Sequence, residues 1–211
     1  AHRSVAHAQE RLGARELLRE VLLDDEVEAP LGQGLLLGTH SHLQEVVDRL
    51  LPGGVKRALS QWGFFDNAVA CASYTVDYQC TDAEKCETQP YVGLVVWGRD
   101  LANYYTFEVA PLVGIYSVQR LQDNRWLTPV AWSKLPGDKK IASGQKFELS
   151  AVVKGNKVTF KLDDQTVAEF EALAPEGGSL VGFELAAAQD GSAKSEISLS
   201  RFEVREIGAG G

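Results

Sequence analysis

Tyr91–Arg120 reads YVGLVVWGRDLANYYTFEVAPLVGIYSVQR, three runs of apolar and aromatic residues separated by two short breaks. Alternating runs of this length, broken by Gly, Asp and Pro, predict an antiparallel meander. Within NYYTFEV, Tyr105, Phe107 and Val109 fall on one side of the strand, and Tyr104, Thr106 and Glu108 on the other. The first set is expected in the core and the second is expected to face solvent.

Working outward, the period of two runs from Ala68 almost to the end of the chain. Strands are predicted at 68–79, 91–97, 103–110, 113–120, 125–131, 146–153, 156–162, 165–170, 179–187 and 194–205. Turn residues punctuate them at Pro111, Asp123-Asn124, Gly155-Asn156, Asp163-Asp164 and Pro175–Gly178. Short strands at this spacing, with no helices between them, mean an antiparallel sandwich or jelly roll. Phe147, Leu149, Ala151 and Val153 are expected to meet Val158, Phe160 and Leu162, and Val181, Phe183 and Leu185, inside it. The apolar phase slips between Leu199 and Phe202, which predicts a bulge near Ser200-Arg201.

Upstream the period lengthens. Leu12, Leu17, Leu18, Val21 and Leu22 suit an amphipathic helix over 8–23. A second helix is expected from Ser41 to Leu51, capped by Ser41 and stopped by Pro52-Gly53-Gly54. The acidic connector carrying Asp24, Asp25, Glu26 and Glu28 reads as a solvated loop. The expected organisation is a helical segment over 1–60, a β-sandwich over 61–207 and a tail over 208–211. An amphipathic helix with little local core must bury its stripe somewhere, so the helices are candidate elements for self-association or a protein partner.

The chain has 211 residues, 45% hydrophobic and 24% charged, the make-up of a folded domain rather than a disordered one. A formal charge of -8 with no basic cluster argues against a nucleic-acid partner. No apolar run approaches the ~20 residues of a membrane span. Cys80 and Cys86 are separated by TDAEK, a spacing that suits a disulfide across a hairpin loop in an oxidising compartment, or else two reduced thiols on a cytosolic loop. Cys71, in the apolar run AVACASYTV, reads as a buried inert thiol.

The ordered pieces FDN at 65–67, YVGLVVWGRDLANYYTFEV, GIYSVQRLQDNRWLTPVAWSK, GQKFELSAVVKGNKVTFKLDDQTVAEF, GSLVGFELAA and ISLSRFEV carry a resemblance. Together, over 63–205, they resemble the concanavalin A-like jelly roll of bacterial 3-keto-disaccharide hydrolase and glucanase-like domains. The fold this implies is mostly β, an antiparallel sandwich, here preceded by the short helical segment. It also implies a periplasmic or extracellular setting and a link to sugars. Two positions depart from the family pattern: Asp163-Asp164-Gln165 stands where an Asn-Gly hairpin is common, and SRFEV ends the last long strand in place of a Phe-Asp-Asn-Phe-like one.

Known catalytic strings are missing. Laminarinase-type hydrolases of this architecture carry E-x-D-x-x-E on one strand, which sets both carboxyl groups on one face; the chain has no such string. A serine triad needs a histidine, yet His2, His7, His40 and His42 all precede the predicted sandwich, and G-x-S-x-G does not occur. The same histidines leave no closed zinc site, and GQGLLLG at 32–38 lacks the lysine of a phosphate loop. No cofactor is expected; calcium, which jelly rolls hold through backbone carbonyls, has no residue pattern pointing to it.

What remains is a surface. Tyr104, Glu108, Tyr116, Arg120, Trp126 and Trp132 are the candidate ligand-binding residues: rings for the C–H faces of a sugar, polar groups for its hydroxyls. The expected function is a non-catalytic β-sandwich of the bacterial envelope or exterior that binds carbohydrate or a glycoconjugate. The alternatives are a glycoside-processing hydrolase, with Glu108 or Asp100 as acid/base and Arg120 orienting substrate, and an adhesion or interaction module.

Overall fold

The computed structural model describes residues 64–81, 89–188 and 193–208, together with strand backbone at 41–44, 48–50 and 55–59. Ten strands carry most of the chain: β4 (Asn67–Cys80), β5 (Tyr91–Asp100), β6 (Asn103–Ala110), β7 (Ile115–Gln122), β8 (Arg125–Lys134), β9 (Lys146–Lys154), β10 (Lys157–Leu162), β11 (Gln165–Glu171), β12 (Leu180–Ala186) and β13 (Ala193–Glu206). Three shorter ones, β1 (Ser41–Gln44), β2 (Asp48–Leu50) and β3 (Val55–Leu59), precede them. All the pairings are antiparallel. One sheet runs β1-β13-β4-β9-β10-β11 with β2 also on β13, and the other runs β3-β12-β5-β6-β7-β8.

The predicted strands match the observed ones to within a few residues because turn chemistry and alternation coincide. Asp123 and Asn124 both take positive φ, 48° and 61°, in the two-residue turn that joins β7 to β8. That pair of left-handed residues gives a hairpin turn whose twist suits the flanking strands. The Asp163-Asp164 departure keeps the same geometry, with φ of 48° and 64°. Asp163 is held there by its own side chain, which accepts from the Glu148 amide and from Lys139 Nζ, each at 2.9 Å.

Between the sheets lies the apolar core. Val158, Phe160 and Leu162 stand opposite Val153, Ala151 and Leu149, and all six are buried. Val181 and Leu185 of the other sheet close on them, with Phe183 partly buried at the margin against Phe202. The expected bulge is present, as a register shift in β13 between Leu199 and Arg201.

The helix expected from Ser41 to Leu51 is overturned where the segment is described: Ser41–Gln44 and Asp48–Leu50 are strands β1 and β2, which pair with β13 at Leu43↔Glu203 and Arg49↔Ser198. Its apolar spacing suits a helix, but the long β13 offers an unpaired row of backbone donors and acceptors, and tertiary pairing overrides local preference. Because β3 also pairs with β12, the two sheets draw on strands that start before residue 61. The helix expected over 8–23, the acidic connector and Cys86 lie outside the described residues. Cys71 is a free, half-buried thiol.

Candidate functional site

The site forms where β8 bends. Along β7 and β8 the register runs Tyr116↔Ser133, Val118↔Val130 and Arg120↔Leu127, so β8 gains an extra residue twice. Each extra residue is a β-bulge, which kinks the strand and re-aims the side chains it carries. Thr128 and Pro129 share one bulge; Ala131 and Trp132 share the other. Polar bonds fix both. Ser117 Oγ donates to Val130 O at 2.7 Å, Gln119 Nε2 donates to Ser117 Oγ at 2.5 Å, and Thr128 Oγ1 donates to Gln119 Oε1 at 2.9 Å.

The result is a groove of about 450 Å³ on the face of the six-stranded sheet away from the core. Its rings are Tyr91, Trp126 and Trp132; its polar groups are Glu108, Gln119 and Thr128. Trp126 is 44% exposed and Trp132 43%. Each stands edge-on to a tyrosine that props it: Tyr104 lies 6.0 Å from Trp126 at 86°, and Tyr91 lies 6.2 Å from Trp132 at 66°. Rings held this way lose little freedom when a flat ligand lands on them.

Beneath the rings runs a row of registered positions: Glu184 on β12, Gly93 on β5, Glu108 on β6 and Ser117 on β7. Glu108 is 4% exposed and Glu184 0%. Tyr91 donates its hydroxyl to Glu184 Oε1 at 3.3 Å, which orients the ring as well as the carboxylate. Gly93 is required by this crowding. A Cβ there would stand 2.8 Å from Thr106 Oγ1, 3.0 Å from Phe107 O and 3.5 Å from Glu108 Cγ. Thr106 Oγ1 is buried and finds no hydrogen-bond partner among the described residues.

The expectation that Tyr104, Thr106 and Glu108 face solvent is overturned: all three are buried. Strand β6 lies inside its sheet, and Tyr104 joins Val95 and Leu121 in a second, smaller apolar cluster on the outer face, with Leu59 packed against it. Glu108 still borders the groove, as do Trp126 and Trp132. Tyr116 and Arg120 do not join them. The register sets Tyr116 opposite Val109 and Arg120 opposite Tyr105, on the core side of the sheet. There Tyr116 packs on Phe107 at 5.9 Å, and the Arg120 guanidinium lies 5.0 Å from the Tyr105 ring centroid. Asp100 is used locally in the β5–β6 turn, where Oδ1 accepts from the Ala102 amide at 2.7 Å and from Asn103 Nδ2 at 3.1 Å. Asp100, Glu108 and Arg120 therefore form no common centre. Tyr91, Gln119 and Thr128 were not anticipated from the sequence; the one signal was a lone glycine, Gly93, inside an otherwise apolar strand.

The solved structure of the carbohydrate-binding module CBM66 from Bacillus subtilis is similar to this chain with a TM-score of 0.53 at 12% identity, over 76% of this chain and 94% of that one. The fold is a concanavalin A-like jelly roll. This jelly roll is also similar to a native glycosidic hydrolase, with a TM-score of 0.50 at 10% identity over 72% of this chain and 70% of that one. The galectin LEC-6 of Caenorhabditis elegans gives a TM-score of 0.48 at 11% identity, over 74% of this chain and 94% of the galectin. No protein-family profile matches the chain, and no curated protein matches it. At these identities the likeness is one of architecture, and it does not single out the 3-keto-disaccharide hydrolases.

Proposed function

We propose that this jelly roll is a carbohydrate-binding module whose ligand seats in the β8 groove, between Trp126 and Trp132. The observation that carries the reading is the pair of half-exposed tryptophans, each propped by a tyrosine, above the polar groups of Glu108, Gln119 and Thr128. A sugar ring offers apolar C–H faces to such rings and hydroxyls to a carboxylate and an amide. Gln119 suits this role because its bonds to Ser117 and Thr128 fix which way the amide points. The share of this module's jelly-roll architecture with a carbohydrate-binding module supports the same reading. A periplasmic or extracellular setting belongs with it, since glycans are displayed there and a Cys80–Cys86 clamp would persist there.

The test is a titration of the full chain against a panel of oligosaccharides, read by tryptophan fluorescence and calorimetry. Binding is expected to shift the emission, and Trp126→Ala and Trp132→Ala are each expected to weaken affinity at least about tenfold, the scale of a ring anchor at a binding site. Silence across the panel, with emission unmoved, overturns the proposal.

A further inference from the structure

The two indoles of the groove stand well apart along the sheet. Trp126 pairs with Leu121 of β7, while Trp132 falls in the bulge opposite Ser117, between the pairs Tyr116↔Ser133 and Val118↔Val130. From Leu121 back to Ser117 is four residues of extended strand, about 13 Å at the ordinary rise of a strand. The tyrosines that prop the indoles are spread the same way. Tyr104 stands opposite Leu121, and Tyr91 precedes Val92, which stands opposite Val109, so the props lie at the two ends of β6. Midway along the same stretch of β7, Gln119 bonds with Thr128 to form a polar step that lines the groove. Gln119 gives one N–H to Ser117 and one carbonyl lone pair to Thr128, which leaves its amide a second N–H and a second lone pair. Ring, polar step and ring therefore follow one another along β8 instead of closing on one point.

A pyranose ring is built from bonds of about 1.5 Å and advances a sugar chain by roughly 5 Å, so one ring reaches one indole and about three linked rings reach both. We propose that the ligand is a linear oligosaccharide long enough to lie along β8 with one unit on Trp126, another on Trp132, and the unit between them hydrogen-bonded to Gln119 and Thr128. This rests on the carbohydrate reading above and goes further by naming the length and the direction of the glycan. Once one unit is seated, the other indole meets the same chain at a high effective concentration, so the two ring contacts reinforce each other.

The experiment titrates the full chain by calorimetry with ladders of β-1,4-linked glucose, mannose and xylose, each running from the single sugar to the hexamer. Within a ladder that binds, affinity is expected to rise at least about tenfold between the single sugar and the trimer or tetramer, the scale of one added ring anchor, and to level off beyond. Trp126→Ala and Trp132→Ala are each expected to bring the hexamer down to roughly the affinity that the single sugar has for the parent protein, while binding of the single sugar changes only a few-fold, because the other indole still receives it. A variant that was merely destabilised would weaken both ends of the ladder alike. A single sugar that binds the parent protein as tightly as the hexamer overturns the span and leaves the sugar site standing. If no ladder binds, this proposal falls, and the panel titration above decides the sugar site by itself. Should neither tryptophan variant fold, the length series on the parent protein decides, and affinity indifferent to length overturns the proposal.

Discussion

Phe107 of β6 lies nearly parallel to Phe160 of β10, with ring centroids 4.5 Å apart and planes 13° from each other. Both side chains are fully buried, and they come from opposite sheets. Replacing Phe160 with Ala leaves a cavity that neither rigid sheet can collapse to fill, so a loss of about 3–5 kcal/mol is expected. Urea unfolding followed by far-ultraviolet circular dichroism measures it; a loss under about 1 kcal/mol would show that the sheets are held together elsewhere.

Gly93→Ala tests the crowding under the groove. In an ordinary strand interior this exchange stabilises by lowering the entropy of the unfolded chain. Here the added methyl would meet Thr106 Oγ1 at 2.8 Å and the immovable carbonyl of Phe107 at 3.0 Å, so the sign reverses. A loss of about 1–3 kcal/mol is expected, and adding Thr106→Ala should recover part of it. A raised melting temperature for the single variant would contradict the geometry.

Tyr74 links stability to alkaline pH. Burial, and then the charge of Glu184, push its phenol well above the ordinary value of 10.0, and its hydroxyl donates to Gly93 O at 2.8 Å. The folded state therefore keeps a proton that the unfolded chain releases near pH 10, so this contribution is constant below that pH and declines above it. Tyr74→Phe should be less stable than the parent at pH 8 by about 0.5–1.5 kcal/mol, the worth of the hydrogen bond. The gap should narrow as pH rises past 10; a gap that widens would refute the assignment.

Cys71 should react slowly. Burial first, then Glu148 and Glu203, raise its thiol from 9.0 to about 11, against the opposing pull of Arg201 and Arg205. Because the thiolate is the nucleophile, alkylation of the folded protein by iodoacetamide should still be accelerating at pH 10. Glu148→Gln should shift that profile to lower pH. A profile centred near 9 in the parent protein would mean that the thiol is solvated like that of a free cysteine.

The strands were legible because alternation and turn residues agree along most of the chain, down to the bulge between Leu199 and Arg201. The faces were less so. Alternation separates Tyr105 from Tyr104 but does not say what covers either side, and a strand in the middle of a sheet is covered on both. The unbroken apolar run of β5, with Val92, Leu94 and Val96 on one side and Val95 on the other, carried that information. Tyr116 and Arg120 fall on the core face rather than beside Glu108 because the register across residues 111–114 is set by the turn, and a one-residue change of phase exchanges the faces. Gly114 sets that turn, at φ 76°, where a Cβ would stand 2.3 Å from Lys139 O. The contact comes from a segment 25 residues downstream, which no local pattern announces. The bulges of β8 are similarly silent in the sequence, and they bring Thr128, Ala131 and Trp132 to the groove.

Strand β8 closes its sheet on one side, and its two surplus residues and Pro129 have a consequence for association. A rim with uneven spacing and a missing amide proton is a poor template for another polypeptide to zip onto. Strand addition along that margin is thereby disfavoured, and the indoles that flank the proline, Trp126 and Trp132, keep nearly half of their surface uncovered.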